Sequence, residues 1–195
     1  LDKDFNIKLL DTYHKELNFT YPTPAEIGNV FYELAIRYDN KANILNFVAW
    51  NPEEKAEPKI FHSLEYSWKE NGFFGPYYTY ILSPDKQKFL ILWQHPKQLT
   101  HYSIYEFDKN LKLVKEHSIE TGFDEDAKKR ELPIVNFKQV DDKGNLLLVF
   151  NSKKGFDSWL FKYRLSDQKL VKHLIEKPED YDHLKAFDLD MEHSI

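Results

Sequence analysis

The 195 residues of this chain are enough to bury a sizeable core within one domain. Aromatic residues make up 16% and charged residues 30%, a balance that excludes a membrane-embedded chain and a disordered one. The formal net charge of −5 exerts no electrostatic attraction on nucleic acid, so we expect no nucleic-acid partner.

The first predicted element is a strand within residues 1–17, which belong to a recurring pattern. The segment LDKDFNIKLLDTYHKELNF at 1–19 resembles FDKNLKLVKEHSIETGF at 107–123 and LSDQKLVKHLIE at 165–176. In each copy a tight turn containing Asp leads into a strand with alternating apolar positions. Because this pattern closes the later repeat units, we expect 1–17 to end a preceding unit and the chain to be part of a longer protein.

A second recurring pattern is a β-hairpin. Strand–turn–strand signals appear at Leu34–Trp50, Tyr80–Gln94 and Phe137–Asn151. The third has the clearest turn, because Gly144 can adopt the positive φ that such turns require.

The longest regular stretch, Tyr77–Glu120, predicts four consecutive strands separated by short polar turns. The predicted strands are Tyr77–Leu82, Lys88–Trp93, His101–Phe107 and Leu113–Ile119. We interpret this stretch as one complete repeat unit.

The chain therefore divides into three units with partial units at both ends. The units span about 28–70, 73–121 and 132–177, with partial units at 1–17 and 183–195. A period of about 45–58 residues with up to four strands is typical of a β-propeller. We predict a single all-β, propeller-like domain over 1–195, with about three four-stranded blades and single strands at both ends. A β-sandwich or barrel with similar turns is the alternative.

The connections between units are predicted as loops. Thr20–Gly28 and Thr121–Pro133 are polar and contain proline, and Gly122–Leu132 is compatible with one short helical turn. Asn51–Lys59 is an acidic insertion flanked by proline.

The repeats resemble a known class of proteins. SPDKQKFLIL followed by YSIYEFDKNLKLVKEHSIE, and VDDKGNLLLVF followed by LFKYRLSDQKLVKHLIE, are similar to uncharacterised propeller-repeat proteins of Bacteroidetes-type bacteria. SPDKQK also resembles the SPDG turn of periplasmic six-bladed propellers and peptidase propellers, although Gln87 replaces the usual Gly. The resemblance implies blades and a place in the periplasm or at the cell surface, and it leaves the cytoplasm open.

Few residues have the spacing of a catalytic or metal site. The absence of cysteine excludes disulfides and thiolate chemistry, and no nucleophile elbow or phosphate-binding loop is present. His95 and His101 flank one hairpin turn, but no third ligand is evident. Asp188, Asp190 and Glu192 alternate, so on a strand they would share one side and form a weak candidate for a hard cation. We expect no catalytic residue and no cofactor.

Aromatic residues form the more promising candidate site. The loop Trp68–Tyr78 reads WKENGFFGPYY, and its two glycines and Pro76 disfavour regular structure. Exposed aromatic rings suit protein hot spots and sugar rings alike. The candidate ligand-binding residues are Trp68, Phe73, Phe74, Tyr77 and Tyr78. Trp93 and Trp159 lie within predicted strands, where we expect them in the core.

The leading functional hypothesis is a non-catalytic binding or scaffold module within a bacterial cell-envelope complex. Its expected partner is another protein, or the remainder of its own polypeptide completing the propeller. A propeller accessory to a hydrolase or lyase and a glycan-binding module are the alternatives. No apolar run approaches the roughly 20 residues of a membrane-spanning helix.

Overall fold

The computed structural model describes residues 23–39, 41–54, 57–66, 77–95, 98, 100–123, 134–151 and 158–175. Within these ranges the chain forms twelve strands and no helix. The strands are β1 (Thr23–Ile27), β2 (Val30–Asp39), β3 (Ile44–Trp50), β4 (Lys59–Glu65), β5 (Tyr77–Leu82), β6 (Phe89–Gln94), β7 (His101–Phe107), β8 (Leu113–Glu120), β9 (Ile134–Val140), β10 (Asn145–Asn151), β11 (Ser158–Arg164) and β12 (Lys169–Ile175).

The strands form three four-stranded antiparallel sheets. Sheet 1 has the order β1-β2-β3-β4, sheet 2 the order β5-β6-β7-β8 and sheet 3 the order β9-β10-β11-β12. Each sheet is thus a meander in which consecutive strands are neighbours, the topology of a propeller blade. The predicted fold class, an all-β propeller-like array of three blades, is confirmed, and the single strands predicted at 1–17 and 183–195 lie outside the described residues.

The chain divides into two units, Leu1–Gly75 and Pro76–Ile195. Unit 1 contains sheet 1, and unit 2 contains sheets 2 and 3. The organisation of 1–195 as a single domain stays a prediction. In the part of the chain that the structure describes, no helix is long and apolar enough to cross a membrane.

Sheet 1 differs from the sequence prediction. Residues 20–28 were predicted to be a loop, but Thr23–Ile27 forms β1 and pairs with β2. Pro24 is compatible with this strand because β1 lies at the edge of its sheet, where a missing N–H removes no essential ladder bond. The side chain of Ile27 is fully buried, which anchors the strand.

Sheet 1 is also shifted by one strand relative to the repeat. The Tyr66 N–H donates to the Asn43 carbonyl (2.8 Å), as the Leu165 N–H donates to the Gly144 carbonyl in sheet 3 (2.9 Å). β2, β3 and β4 therefore correspond to β9, β10 and β11. β1 has no counterpart in sheet 3, and the acidic insertion lies between β3 and β4.

Unit 2 is held together by face-to-face packing of its two sheets. Leu90, Leu92 and Ile104 of sheet 2 belong to the same buried cluster as Leu148 and Phe161 of sheet 3. The first strands of the two sheets, β5 and β9, lie beside each other. Burying large apolar side chains on both facing surfaces contributes about 1.5–3 kcal/mol per side chain, so this packing dominates the stability of unit 2.

Candidate functional site

The two ends of unit 2 have different chemistry. At one end lie the turns at 83–88, 108–112, 141–145 and 165–169, and we call this the Asp-turn end. At the opposite end β5 and β7 begin and β6 and β8 end, near Tyr77, His95, His101 and Glu120, and we call this the aromatic end. The predicted binding loop precedes β5 and therefore leads into the aromatic end.

At the Asp-turn end, carboxylates stabilise the turns that contain them. Asp108 accepts hydrogen bonds from the N–H groups of Asn110 and Lys112, both at 2.9 Å. Asp141 accepts from the backbone N–H and the side-chain amide of Asn145, both at 2.7 Å. These bonds satisfy backbone groups that a tight turn leaves unpaired, so the carboxylates serve the fold.

The turns of sheets 2 and 3 are also joined to each other. The Asp85 N–H donates to the Asp142 carboxylate (2.8 Å), and the Lys88 ammonium donates to the Asp142 carbonyl (2.6 Å). The Ser83 hydroxyl donates to Asp85, and this bond is the main reason why the pKa of that carboxyl is lowered. The Asp-turn end is therefore closed by its own polar groups.

At the aromatic end, Tyr77 and Tyr78 begin β5. The Tyr77 side chain is 44% exposed, and its hydroxyl donates to the Val135 carbonyl at 3.5 Å. Tyr78 is half-buried and packs edge-on against Tyr80, with ring centroids 5.4 Å apart. Burial raises the pKa of the Tyr80 hydroxyl, so that phenol stays protonated. Tyr77 lies on the face of β5 that carries Ile81 and faces sheet 3, whereas Tyr78 and Tyr80 lie on the opposite face, so the exposed ring of Tyr77 does not rest on them.

The other three predicted binding residues, Trp68, Phe73 and Phe74, lie outside the described residues. Their participation in one site with Tyr77 and Tyr78 stays a prediction. Trp93 is 4% exposed, and Trp159 packs against the buried cluster of unit 2, as expected for tryptophans within strands.

Beneath the aromatic end lies a cluster of rings that the sequence did not reveal. Phe123 packs against Phe150, Trp159 and Phe161 with centroid separations of 5.4, 5.1 and 5.6 Å. Tyr102 of sheet 2 packs edge-on against Phe150 at 5.6 Å. Phe123 was assigned to a polar loop, and its position three residues after the end of β8 was the only available signal. This cluster gives the aromatic end a rigid base.

His95 and His101 approach each other through the backbone and not through their rings. The His95 N–H donates to the His101 carbonyl at 3.0 Å. The His95 ring lies 2.9 Å from the Ser103 hydroxyl, whereas the His101 ring lies 3.2 Å from the Thr100 hydroxyl and 4.0 Å from Glu120. Burial, followed by the neighbouring His101, lowers the pKa of His95, which favours its neutral form.

The His95–Ser103 pair has the distance of a base and a nucleophile, but its surroundings differ from those of an active site. Ser103 is 4% exposed and lies in the middle of β7. The Tyr105 side chain hydrogen-bonds to both Ser103 and Glu116. These bonds join the end of β6 to β7 and β8, so the pair has a structural explanation.

A second buried polar chain crosses between the sheets of unit 2. His117 of β8 lies 3.2 Å from the Glu106 carboxylate and 3.4 Å from the Tyr163 hydroxyl of β11. The rings of His117 and Tyr163 meet edge-on, with centroids 5.8 Å apart. His117 and Tyr163 are each 2% exposed, so this chain specifies how the two sheets fit together.

The weak metal candidates Asp188, Asp190 and Glu192 lie outside the described residues. Within the described ranges, no three or more His, Asp or Glu side chains gather as a metal ion would require. The cation site at 188–192 stays an untested prediction.

No protein-family model and no curated protein matches the chain. Among solved structures the chain is similar to the β-propeller domain of the Trilobed protease from Pyrococcus furiosus, described as having an open velcro topology. The identity is 15% and the TM-score is 0.44, over 84% of this chain and 45% of the solved one. The chain thus spans less than half the length of that structure, and the blade topology described above comes from its own strand order and pairing.

Proposed function

We propose that this chain is a binding or scaffold module that contacts a protein partner through the aromatic end of unit 2. The observation that carries the proposal is the exposed ring of Tyr77, which lies on the same face of sheet 2 as the buried ring of Tyr102. A large aromatic side chain that stays exposed on a rigid base loses little conformational entropy when a partner covers it.

The contrast with the Asp-turn end supports this choice. There, the turn carboxylates and Lys88 are already bonded within the chain. At the aromatic end the His101 ring and the Glu120 carboxylate are 4.0 Å apart, and the Glu120 side chain is 70% exposed. An exposed tyrosine at the same end of the sheet as partly exposed polar groups resembles the mixed composition of protein interfaces.

We also propose a location in the bacterial cell envelope. The likeness of the SPDKQK turn to the SPDG turn of periplasmic six-bladed propellers supports this location. Fractionation of cells that produce the protein from its native gene tests the location. Recovery of the protein in the cytoplasmic fraction would exclude the cell-envelope location and would leave the binding proposal unaffected.

The binding proposal is tested by site-specific photocrosslinking in cells. A photoreactive amino acid replaces Tyr77 at the aromatic end or, as the matched control, the exposed Lys109 at the Asp-turn end. We expect one defined protein adduct from position 77 and none from position 109. Equal adducts from both positions would contradict the assignment of the aromatic end.

A glycan-binding module is the second candidate, because an exposed tyrosine ring also stacks on sugars. The candidate surface comprises Trp68, Phe73, Phe74, Tyr77 and Tyr78. Binding of the purified chain to an array of bacterial polysaccharides tests this candidate, with Phe74→Ala as the variant. A Phe74→Ala protein that retains full affinity for a bound glycan would count against it.

A further inference from the structure

One lysine departs from the pattern that the three sheets share. The turn bonds from the N–H groups of Ser83 and Asp141 align sheets 2 and 3, as those from Tyr66 and Leu165 align sheets 1 and 3. The residue pairs that then correspond, one in each sheet, are Ile36 with Phe47, Tyr80 with Ile91 and Lys138 with Leu148. Two sheets thus have an apolar or aromatic side chain where sheet 3 has Lys138. Departures from the pattern of a fold are expected at functional sites.

Lys138 lies on the face of sheet 3 that packs against sheet 2. Val140, two residues further along β9, and Leu148, the pairing partner of Lys138, are fully buried members of the cluster that joins the two sheets. Lys138 itself is half-buried. Partial burial removes water from an ammonium group, which costs free energy unless a partner compensates the charge.

Lys138 has no such partner in the part of the chain that the structure describes. It forms no hydrogen bond and no ion pair there, and burial is the one cause that lowers the pKa of its amine. Lys88 and Lys172, in contrast, donate to the backbone carbonyls of Asp142 (2.6 Å) and Thr121 (2.7 Å). The Lys138 ammonium therefore keeps its donors available for a group from outside the described residues.

Two hydroxyl groups lie on the face of sheet 2 that is turned toward Lys138. Tyr77 and Thr79 share the face of β5 that carries the buried Ile81. The Tyr77 hydroxyl is 3.5 Å from the Val135 carbonyl, and the Thr79 hydroxyl is 3.5 Å from the Tyr80 carbonyl. Bonds of this length are weak, so either hydroxyl can turn toward a better acceptor.

The first strands of sheets 2 and 3 bring these groups to one edge of unit 2. β5 and β9 lie beside each other, and each is the last strand on that side of its sheet. Both strands lead from the aromatic end to the Asp-turn end. Thr79 adjoins Tyr80, the residue that corresponds to Lys138, so Thr79 and Lys138 lie at the same level. We call the space between the two strands the β5–β9 gap.

We propose that the β5–β9 gap binds a carboxylate, with the Lys138 ammonium as the counter-charge and the hydroxyl groups of Tyr77 and Thr79 as further donors. A carboxylate carries one negative charge, which one ammonium balances, and its two oxygens accept several hydrogen bonds at once. A phosphate dianion would require a second cation. This inference does not rest on the proposed function, because a carboxylate in solution can occupy the gap whether or not a protein contacts the aromatic end.

Titration of the purified chain with acetate tests the proposal. The backbone amide signals of Thr79 and Lys138 in ¹H–¹⁵N spectra report on the gap, and the signal of the exposed Lys109 is the reference. Sodium chloride at equal ionic strength controls for screening. We expect acetate to shift the signals of Thr79 and Lys138 along a saturating curve and to leave that of Lys109 in place. Shifts that never saturate would overturn the proposal.

Lys138→Ile is the decisive variant, because it gives sheet 3 the residue type that Ile36 provides in sheet 1. We expect it to weaken acetate binding about tenfold or more, read from the Thr79 signal, since the charge-assisted bond is lost. The urea midpoint should rise, because no uncompensated charge is buried. Lys109→Gln, the matched control, should change neither quantity. Acetate affinity that survives in Lys138→Ile would overturn the proposal.

Two further probes identify the anion and its source. Inorganic phosphate should bind more weakly than acetate, and tighter binding of phosphate would overturn the assignment to a carboxylate. A blocked peptide with one internal glutamate then separates the two sources of a carboxylate. Displacement of acetate by this peptide supports the acidic side chain of a protein as the ligand, and no displacement supports a small carboxylate.

Discussion

The Asp-turn end and the aromatic end of unit 2 are built from the same strands but stabilised in different ways. At the Asp-turn end each turn is closed by short polar bonds, such as the 2.7 Å bond from the Asn145 N–H to Asp141. At the aromatic end stability comes from ring packing, with Phe150 and Phe161 centroids 4.7 Å apart. The Asp-turn end offers a ligand few polar groups that are not already hydrogen-bonded within its turns, whereas the aromatic end carries an exposed ring on a rigid base.

This difference shows where a repeat array can vary without unfolding. Turn geometry restricts residue type at the Asp-turn end, since carboxylates and positive-φ residues recur there. The aromatic end requires only that the rings of its base remain packed. Substitutions at the two ends should therefore affect the free energy of unfolding to different degrees.

The largest effect is expected from Phe150→Ala. Phe150 is fully buried and contacts the rings of Tyr102, Phe123 and Phe161. Truncation leaves a cavity between the two sheets and should lower the free energy of unfolding by about 3–5 kcal/mol. Urea denaturation measures the change, with the exposed Val114→Ala as the control. A loss no larger than that of the control would show that the ring cluster is not the base of this end.

Asp141→Ala should have the next largest effect. The substitution removes two hydrogen bonds to Asn145 and leaves a partly buried amide without them, for a cost of about 1–3 kcal/mol. Asp167→Ala is the matched control, because Asp167 accepts a 3.3 Å bond from the Lys169 N–H and a 2.9 Å bond from the Arg164 guanidinium in an exposed turn, where such an ion pair contributes little. Equal losses in the two variants would contradict the account of the Asp-turn end.

Gly144→Ala and Lys86→Gly test the backbone of two corresponding turns. Gly144 has φ +85°, and an added Cβ would lie 3.5 Å from Leu165, an ordinary contact. The cost of Gly144→Ala, about 1–2 kcal/mol, therefore comes from the left-handed conformation alone. Lys86 has φ +59°, so Lys86→Gly relieves a similar strain against about 0.5–1 kcal/mol of backbone entropy. Calorimetry should show destabilisation in the first variant only, and destabilisation in both would disprove the strain argument.

The smallest expected effect is a pH dependence that arises from His95. Burial lowers the pKa of His95 in the folded chain, so its contribution to stability is complete above the unfolded pKa of about 6.5. As the pH falls below that value the unfolded chain binds the proton first, and the free energy of unfolding decreases. His95→Gln should flatten this decrease in denaturation experiments on either side of pH ~6.5. His62→Gln in unit 1 should flatten the decrease in the same direction, since burial lowers the pKa of His62 as well. An unchanged slope in His95→Gln would assign the pH dependence elsewhere.

Local sequence signals predicted sheets 2 and 3 well. The predicted strands Tyr77–Leu82 and His101–Phe107 match β5 and β7. The predicted Lys88–Trp93 differs from β6 by one residue at each end, and the predicted Leu113–Ile119 is one residue shorter than β8. The turn chemistry explains this success, because Asp residues and Gly144 specify turns through their own bonds and dihedral angles. β1 was missed because Thr23–Ile27 is short and contains Pro24, and only its pairing with β2 makes it a strand.

The candidate site was less predictable, because it depends on contacts between distant residues. Tyr77 and Tyr78 were identified from loop composition, but the ring base that includes Phe123 and Phe150 joins residues of both sheets. No sequence pattern indicated the burial of His117, which follows from the position of Tyr163 on the neighbouring sheet. Single-sequence patterns do not encode which sheet faces which.

The central claim is that unit 2 binds its partner at the aromatic end. The most direct measurement is photocrosslinking in cells from positions 77 and 109, with the adducts identified by mass spectrometry. The account predicts one protein adduct at 77, diminished by Phe74→Ala, and no adduct at 109. Two results would contradict the claim. One is an adduct at 109 with the same yield as the adduct at 77. The other is an adduct at 109 together with an adduct at 77 that Phe74→Ala leaves unchanged.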